Sequence, residues 1–515
     1  MSGSKNKHWI IEHPFTRMIF QGVLFGLYAF CLVMFIRTGV KVFFTPDLPW
    51  LFATGDYIVQ HKHIPTHDIF SWTHPQKPWV LYQWLFEALL SFGRSTIGDF
   101  NLIRLGISVT ILTYVIIPFY LHLQRGVRLF VATPILGLCL LTALLNISLR
   151  PMLLSVCFCL GLSWLISKAR RGEIKTTVLY PVIGLIGIFW GNIHTGISMG
   201  LLSILLYALG DWLELKQWYR FEPQSPELEG HPLPGRVYIK LFLALFLGSL
   251  INPYGIEIYT YLYWLSSQAY LNSIISELKS PDFHLIQLWG FLLLFVGFIV
   301  TLFRSQKTLS ASAVLHLLIF SLMTMVVARF IVWSALYSAL FLPVAFQHWI
   351  NNRGKNNGFD KLTFLPEKHT FLIACILPSI AIIALFVFSK TPYLQVEAGG
   401  CEPYLKGLRA YQKLQRSQDI IFEDASIGSC RLYTDPHAKV FIDTRFDFYG
   451  SEFTQEMKET ELATEQWETT LKKRKINTLL LPSQLPLSRV LTYNPSYKAI
   501  YQDPSITIFR KQVKN

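Results

Sequence analysis

Apolar runs long enough, or nearly so, to cross a bilayer recur along this chain near residues 19–40, 102–123, 127–147, 152–168, 177–193, 197–213, 238–252, 286–303, 310–328, 331–349 and 370–389. A run of about 20 apolar residues spans the hydrocarbon core as a helix, because in lipid every backbone polar group must bond within its own segment. The pattern predicts a mainly α-helical, polytopic membrane protein with about eleven spans. Composition agrees: the 515 residues are 52% apolar and only 15% charged, and the mean hydropathy is +0.38. A soluble domain carries about 25% charged residues, so an ordinary cytosolic enzyme and a disordered chain are both excluded.

The net charge of +14 would suggest nucleic acid in a soluble protein. Here most of the excess sits between apolar runs, where it orients helices and meets anionic head groups, so nucleic acid is not an expected partner. With a cytoplasmic N-terminus, the inner loops carry Arg125 and Arg128; Lys168, Arg170, Arg171 and Lys175; Arg304 and Lys307; and Arg353, Lys355, Lys361 and Lys368. The Pro-rich stretch 214–236 mixes Lys216 and Arg220 with acids and adds no bias. The basic start (Lys5, Lys7, Arg17) precedes a run too long for a signal peptide and reads as a retained first helix. This charge asymmetry predicts an N-in chain whose C-terminal region is extracytoplasmic.

Two segments stand apart from the spans. The loop 44–101 repeats Trp50, Trp72, Trp79 and Trp84, and its parts 47–60 and 79–94 read as interfacial amphipathic helices. The tail 392–515 mixes β-rich pieces (Val440 to Asp443, Asn477 to Leu481, Ser505 to Phe509) with helical ones such as 451–474, and predicts a small α/β domain. The expected organisation is therefore a transmembrane module over 1–391, with a folded outer loop at 44–101, followed by an extracytoplasmic domain over 392–515. Cys31, Cys139, Cys157, Cys159 and Cys375 fall in apolar runs and read as small core hydrophobes. Cys401 and Cys430 fall in the tail, on the oxidising side, either as a disulfide or as two unrelated thiols. Cys430 is expected in a turn or strand.

Polar residues are expensive at membrane depth, so where they cluster is informative. Helix centres are almost free of charge, with His316 the clearest exception and read as a core histidine. The polar residues gather at the ends of runs that the charge rule assigns outside: Asp47, Arg150, Asn192, His194, Asn252, Glu277 and Arg329. Each has a structural reading as a cap, a turn or a snorkelling side chain. Together they predict a polar cavity under an interfacial roof. A carboxylate there can deprotonate an acceptor, arginines can hold a departing phosphate, and an apolar groove can hold a lipid tail. Those are the parts needed to move a sugar from a lipid-phosphate carrier to an acceptor. No Gly-rich phosphate loop of the kind that cradles a nucleotide occurs.

Asp47 to Gly55, then Ile64-Pro65-Thr66-His67-Asp68-Ile69-Phe70-Ser71, then Trp79 to Glu87, carry a resemblance. So do Arg150-Pro151, Trp190 to His194, Asn252 to Gly255, Ser276-Glu277 with Ser280 to Phe283, and Phe441-Ile442-Asp443-Thr444-Arg445 with Asp447 and Tyr449-Gly450. In that order the chain resembles a bacterial branch of the GT-C-type membrane glycosyltransferases. Its first outer loop reads Asp-x-Trp-Trp-His-x-x-x-Gly, Ile-Pro-x-x-Asp-x-Phe-Ser and Trp-x-x-x-x-Trp-Leu-x-Glu. The resemblance implies a GT-C-like helical bundle in a bacterial inner membrane, a polyprenyl-phosphate sugar donor, and a catalytic acid early in the first outer loop, matched by Asp47. Pro49 replaces the first tryptophan and Leu51 the histidine, so any role of that histidine is absent.

Asp47 is the first choice for a general base, against a reading as a helix cap. Asp68 and Glu87 are the other catalytic candidates; a turn competes at Asp68, and pairing with an arginine at Glu87. Arg150, Asn192, His194, Asn252, Glu277 and Arg329 are the candidate donor-binding set. Carboxylates at Asp47 and Glu277 would suit magnesium or manganese, although nothing in the pattern requires a metal. The acceptor is a glycan, a protein or a lipid. Two other classes compete: a lipid-linked glycan transporter, disfavoured by the clean helix centres, and a non-catalytic assembly factor using its tail to bind a partner.

Overall fold

The computed structural model describes residues 14–219, 230–304, 309–357, 367–391, 398 and 400–512. Lys5, Lys7, Arg220, Lys307 and Lys361, among the charges cited above, lie outside the described residues. The chain gathers into two compact units. One takes Met1–Val40, Arg104–Gly255 and Ser276–Gln395; the other takes Lys41–Ile103, Ile256–Ile275 and Val396–Asn515. The loop at 44–101 and the tail, which the sequence presents as separate segments, thus fall in the same unit.

The first unit is helical. Among the described residues seven helices are long and apolar enough to cross a membrane: Gly22–Val42, Asp99–Gln124, Met152–Arg170, Thr176–Ile193, Ile197–Leu215, Ile286–Phe303 and Ala328–Asn351. The chain is a multi-pass integral membrane protein. The other four of the eleven expected runs are shorter among the described residues. Runs 127–147, 238–252 and 310–328 become helices Leu129–Ala143, Gly235–Ser249 and Ala311–Val326, of 15, 15 and 16 residues. At 1.5 Å per residue these reach about 22–24 Å, short of the ~30 Å hydrocarbon core. The run 370–389 contributes the apolar stretch Ile376–Val387. That stretch belongs to the 21-residue helix Glu367–Val387, whereas the turn at Asn146 to Ser148 and the Asn252-Pro253 stop end two of the other runs.

Helix contacts in this unit rely on glycine. A Cβ at Gly191 would lie 2.9 Å from the Cα of Ser249, so the helices Thr176–Ile193 and Gly235–Ser249 meet backbone to backbone there. His316 is fully buried, bonds the Ser312 carbonyl at 2.7 Å through Nδ1, and stacks among Tyr207 and Tyr337. It sits in the core.

The second unit is α/β. Its sheet runs β1 (Ile421–Glu423), β2 (Thr478–Pro482), β4 (Ile506–Lys511), β3 (Tyr497–Gln502), with β1 parallel to β2 and the other pairs antiparallel. β2 is buried along nearly all its length, as expected of a central strand with helices beside it. The loop contributes helices Leu48–His61 and Trp84–Ile97, close to the interfacial helices expected. Pro49 suits the first turn, where no intrahelical N–H is required. Gly55 lets the two helices touch: a Cβ there would lie 2.8 Å from the Glu87 carbonyl carbon.

Two local expectations are corrected. Val440 to Asp443 is not a strand. It joins the first loop through a single parallel bridge between Ser71 and Val440, and its Phe441 N–H is taken by the Glu423 carboxylate at 2.9 Å. Cys430 is in neither a turn nor a strand; it lies in helix Ala425–Thr434, whose first turn is capped by the Asp424 side chain.

Candidate functional site

The candidate residues divide between the units. In the second, Asp47 precedes helix Leu48–His61 but its side chain makes no capping bond. Its Oδ1 instead accepts the Thr444 hydroxyl at 2.6 Å. Ser429 holds Thr444 in turn: the hydroxyls are 3.1 Å apart, and the Thr444 N–H donates to the Ser429 oxygen at 3.1 Å. Ser429 directly precedes Cys430, which is joined to Cys401 with the Cα atoms 5.4 Å apart. Gly400, before Cys401, donates its N–H to the Phe44 carbonyl at 3.2 Å and packs on Pro46, where a Cβ would lie 2.7 Å from the proline ring. Both ends of the disulfide therefore abut the segment that carries Asp47. Nearby stands Asp447, bonded by the Tyr261 hydroxyl at 2.7 Å. Burial pushes its carboxyl above the ordinary range, and the charge of Asp47 acts in the same direction.

Asp68 is engaged differently. It accepts from the Ser71 hydroxyl at 2.5 Å and the Ser71 N–H at 2.7 Å, and pairs with Arg445 at 2.8 Å. Burial would raise its carboxyl, but Arg445 and the Ser71 donors outweigh that and hold it below the usual value. A carboxylate so saturated is a poor proton acceptor. Arg445 is 1% exposed, also pairs with Asp443 at 2.7 Å, and lies against Trp79, Phe448 and Phe70 at 4.4, 4.8 and 5.0 Å. The Ile-Pro-x-x-Asp-x-Phe-Ser and Ile-Asp-Thr-Arg segments thus close on one buried ion cluster.

Glu87 has no exposed surface. Gln83 donates to its Oε1 at 3.0 Å, and burial raises its carboxyl well above the ordinary range. No acceptor reaches it in this packing.

In the first unit Glu277 bridges two arginines. Its Oε1 accepts from Arg329, with Nε at 3.1 Å, and its Oε2 lies 3.5 Å from Arg150 Nη2. Arg150 Nε also donates to Ser148 at 2.9 Å. His194 belongs to the same cluster: burial, then the charges of Arg329 and Arg150, push its imidazole down to about 3. Trp190 Nε1 donates to Ser155 Oγ at 2.8 Å, and Ser155 Oγ stands 2.8 Å from His194 Nδ1, which also accepts the Gly196 N–H at 3.1 Å. With Nδ1 accepting, the neutral ring carries its proton on Nε2. Asn192 and Asn252 serve the backbone. Asn192 Nδ2 donates to the Ile188 and Ile251 carbonyls at 2.7 and 2.8 Å, and Asn252 closes its own Pro-Tyr-Gly turn.

The sequence presents Thr444, Asp443 and Arg445 as motif positions and Ser429 only as a neighbour of Cys430, and nothing in it singles out Tyr261. The signal available was the Phe441 to Arg445 motif itself, a dense polar run inside an apolar stretch. Among the described residues no three His, Cys, Asp or Glu side chains gather as metal ligands. Asp47 and Glu277 belong to different units, so the suggested carboxylate pair does not form a magnesium or manganese donor set within either.

No protein-family model matches the chain. No curated protein matches it either. Among solved structures it is similar to the Archaeoglobus fulgidus oligosaccharyltransferase. Against the apo form the identity is 11% and the TM-score 0.48, covering 89% of this chain and 69% of that one. Against the form tethered by a disulfide to an acceptor peptide containing the NVT sequon, identity is 12% and TM-score 0.47, covering 95% and 74%.

Proposed function

We propose that this chain is a membrane glycosyltransferase that moves a sugar from a polyprenyl-phosphate carrier to an acceptor, with Asp47 as general base. The observation that carries the reading is the state of Asp47 among the three candidate carboxylates. Asp68 is spent on Arg445 and Ser71, and Glu87 is sealed from solvent. Asp47 sits at a helix start without capping it, is partly buried, and has one carboxylate oxygen oriented by the Thr444 hydroxyl. An oriented carboxylate that keeps some exposure is placed to take a proton.

In the reaction Asp47 takes the proton of an acceptor hydroxyl or amine. The acceptor atom bonds to the sugar C1, and the bond from C1 to the carrier phosphate oxygen breaks, leaving the lipid phosphate with the electron pair. In the first unit we assign Arg150 and Arg329 to that phosphate, with Glu277 as the counter-charge they hold until an anion arrives. Neutral His194 offers an Nε2–H to the same anion. Asn192 and Asn252 shape the helix ends around this cluster. We place the protein in a bacterial inner membrane, N-terminus inside and tail outside, facing lipid-linked donors on the extracytoplasmic side.

The test is the carrier lipid. Loss of the protein, or Asp47→Asn alone, is expected to leave a carrier-linked saccharide unconsumed.

A further inference from the structure

A cavity in the first unit lies apart from the candidate site residues. It measures about 490 Å³ and is lined at one end of the helices by Arg125, Lys168, Arg170 and Arg171, with Glu173 the acid in its wall. This is the end whose loops carry the excess of Lys and Arg.

Among the described residues the charges do not balance locally. Arg171 pairs with Glu173, and Arg170 pairs with the buried Asp211. Lys168 Nζ stands 3.7 Å from Glu173 and 4.5 Å from the centre of the Trp164 ring. Arg125 donates to the Ser167 hydroxyl at 3.2 Å and has no carboxylate partner among the described residues. Four cations therefore share two carboxylates. Glu214 is engaged elsewhere, accepting the Ala311 N–H at 2.7 Å.

The walls are amphipathic. Tyr120 and Trp164, both in the lining, are 53% and 38% exposed on helices that cross the membrane. An aromatic edge open to lipid beside guanidinium groups fits a molecule with an anionic head and apolar tails.

We propose that this cavity binds the phosphate head group of an anionic phospholipid, with Arg125, Arg171 and Lys168 as its ligands and the acyl chains lying along Tyr120 and Trp164. The shared chemistry is phosphate, and the aromatic rim assigns it to a lipid rather than to a free ion. This site is independent of the glycosyl-transfer reading and stands or falls without it.

The experiment uses the full chain in nonionic detergent, with bound lipid counted by native mass spectrometry after titration with phosphatidylglycerol, phosphatidylcholine or inorganic phosphate. Wild type is expected to retain phosphatidylglycerol over phosphatidylcholine. The pair Arg125→Gln with Arg171→Gln is expected to weaken that retention about tenfold, the loss of one or two charge-assisted hydrogen bonds. A charge-matched control, Arg236→Gln with Lys240→Gln on the exposed face of helix Gly235–Ser249, is expected to bind as wild type. Equal retention of the two lipids would overturn the proposal. So would unchanged binding in a monodisperse Arg125/Arg171 variant, or displacement by inorganic phosphate at equal concentration. If the double variant does not purify, Lys168→Gln alone is expected to give a smaller loss in the same direction, and wild-type retention there would also overturn it.

Discussion

Asp47 and Asp68 have the same side chain and both stand in recognisable motifs, but their neighbours separate them. Asp68 meets Arg445, far along the chain, and no local pattern announces the pairing. Asp47 meets Thr444, the residue just before Arg445. One short tail segment thus orients one carboxylate and neutralises the other. Thr444 is a positioning residue on this reading. Thr444→Val is expected to lower kcat about tenfold with KM little changed, and Thr444→Ser to restore it, since only the hydroxyl is needed. Asp68→Asn is expected to leave chemistry intact once folded but to destabilise the second unit by about 3 kcal/mol, because buried Arg445 loses one of its two carboxylates. The sign with pH follows from the depressed carboxyl. Its folded value lies below the unfolded one, so its stabilisation is present above about pH 4 and is lost as pH falls through the folded value. Wild type and Asp68→Asn unfolded by denaturant at pH 7 and pH 3 are expected to differ less at the second pH than at the first. At this scale the sequence could nominate the carboxylates but not rank them, because rank depends on partners hundreds of residues away.

Elements were more legible where burial is one-sided. The helices Leu48–His61 and Trp84–Ile97 follow from aromatic and apolar spacing, and β2 and β4 from short β-rich runs. Val440 to Asp443 shows how that logic fails. Its residues are strand-like, but its N–H groups are taken by the Phe70 carbonyl and the Glu423 carboxylate rather than by a ladder. Helix Ala425–Thr434 was hidden for the opposite reason, since its Gly428 and serines look like a turn. Gly428 is there because a Cβ would lie 3.0 Å from the Ile442 carbonyl carbon. The disulfide fastens this helix to the segment before Glu402, with Ser429 and Gly400 flanking the Asp47 loop. For a sequence separation of 29 residues, removing the bond by Cys401→Ser with Cys430→Ser is expected to cost roughly 3–4 kcal/mol in the chain-entropy model. Denaturant unfolding monitored on the tail checks this, and an unchanged midpoint would show that packing alone holds the segment.

For the whole molecule, hydropathy located every long helix, yet overstated the length of the runs that end at a stop. Run length in sequence counts residues on both sides of a stop, whereas the helix ends where Asn252-Pro253 or a capped turn ends it. Orientation rests on loop charge, a bulk property. A reporter fused after Asn515 is expected to be active only on the extracytoplasmic side; activity in the cytoplasm would invert the topology and remove Asp47 from its donors. The central claim is chemical, and the carrier lipid reads it most directly. Cells lacking the gene are complemented with wild type or with Asp47→Asn, and their polyprenyl-linked saccharides are extracted and compared by mass spectrometry. A lost general base costs about 10²–10⁴ in rate. The account predicts that a carrier-linked saccharide absent from wild type accumulates in the deletion and equally in the Asn variant, with the variant protein present in the membrane at wild-type level. An Asn variant whose lipid profile matches wild type, beside a deletion that accumulates the intermediate, would contradict it.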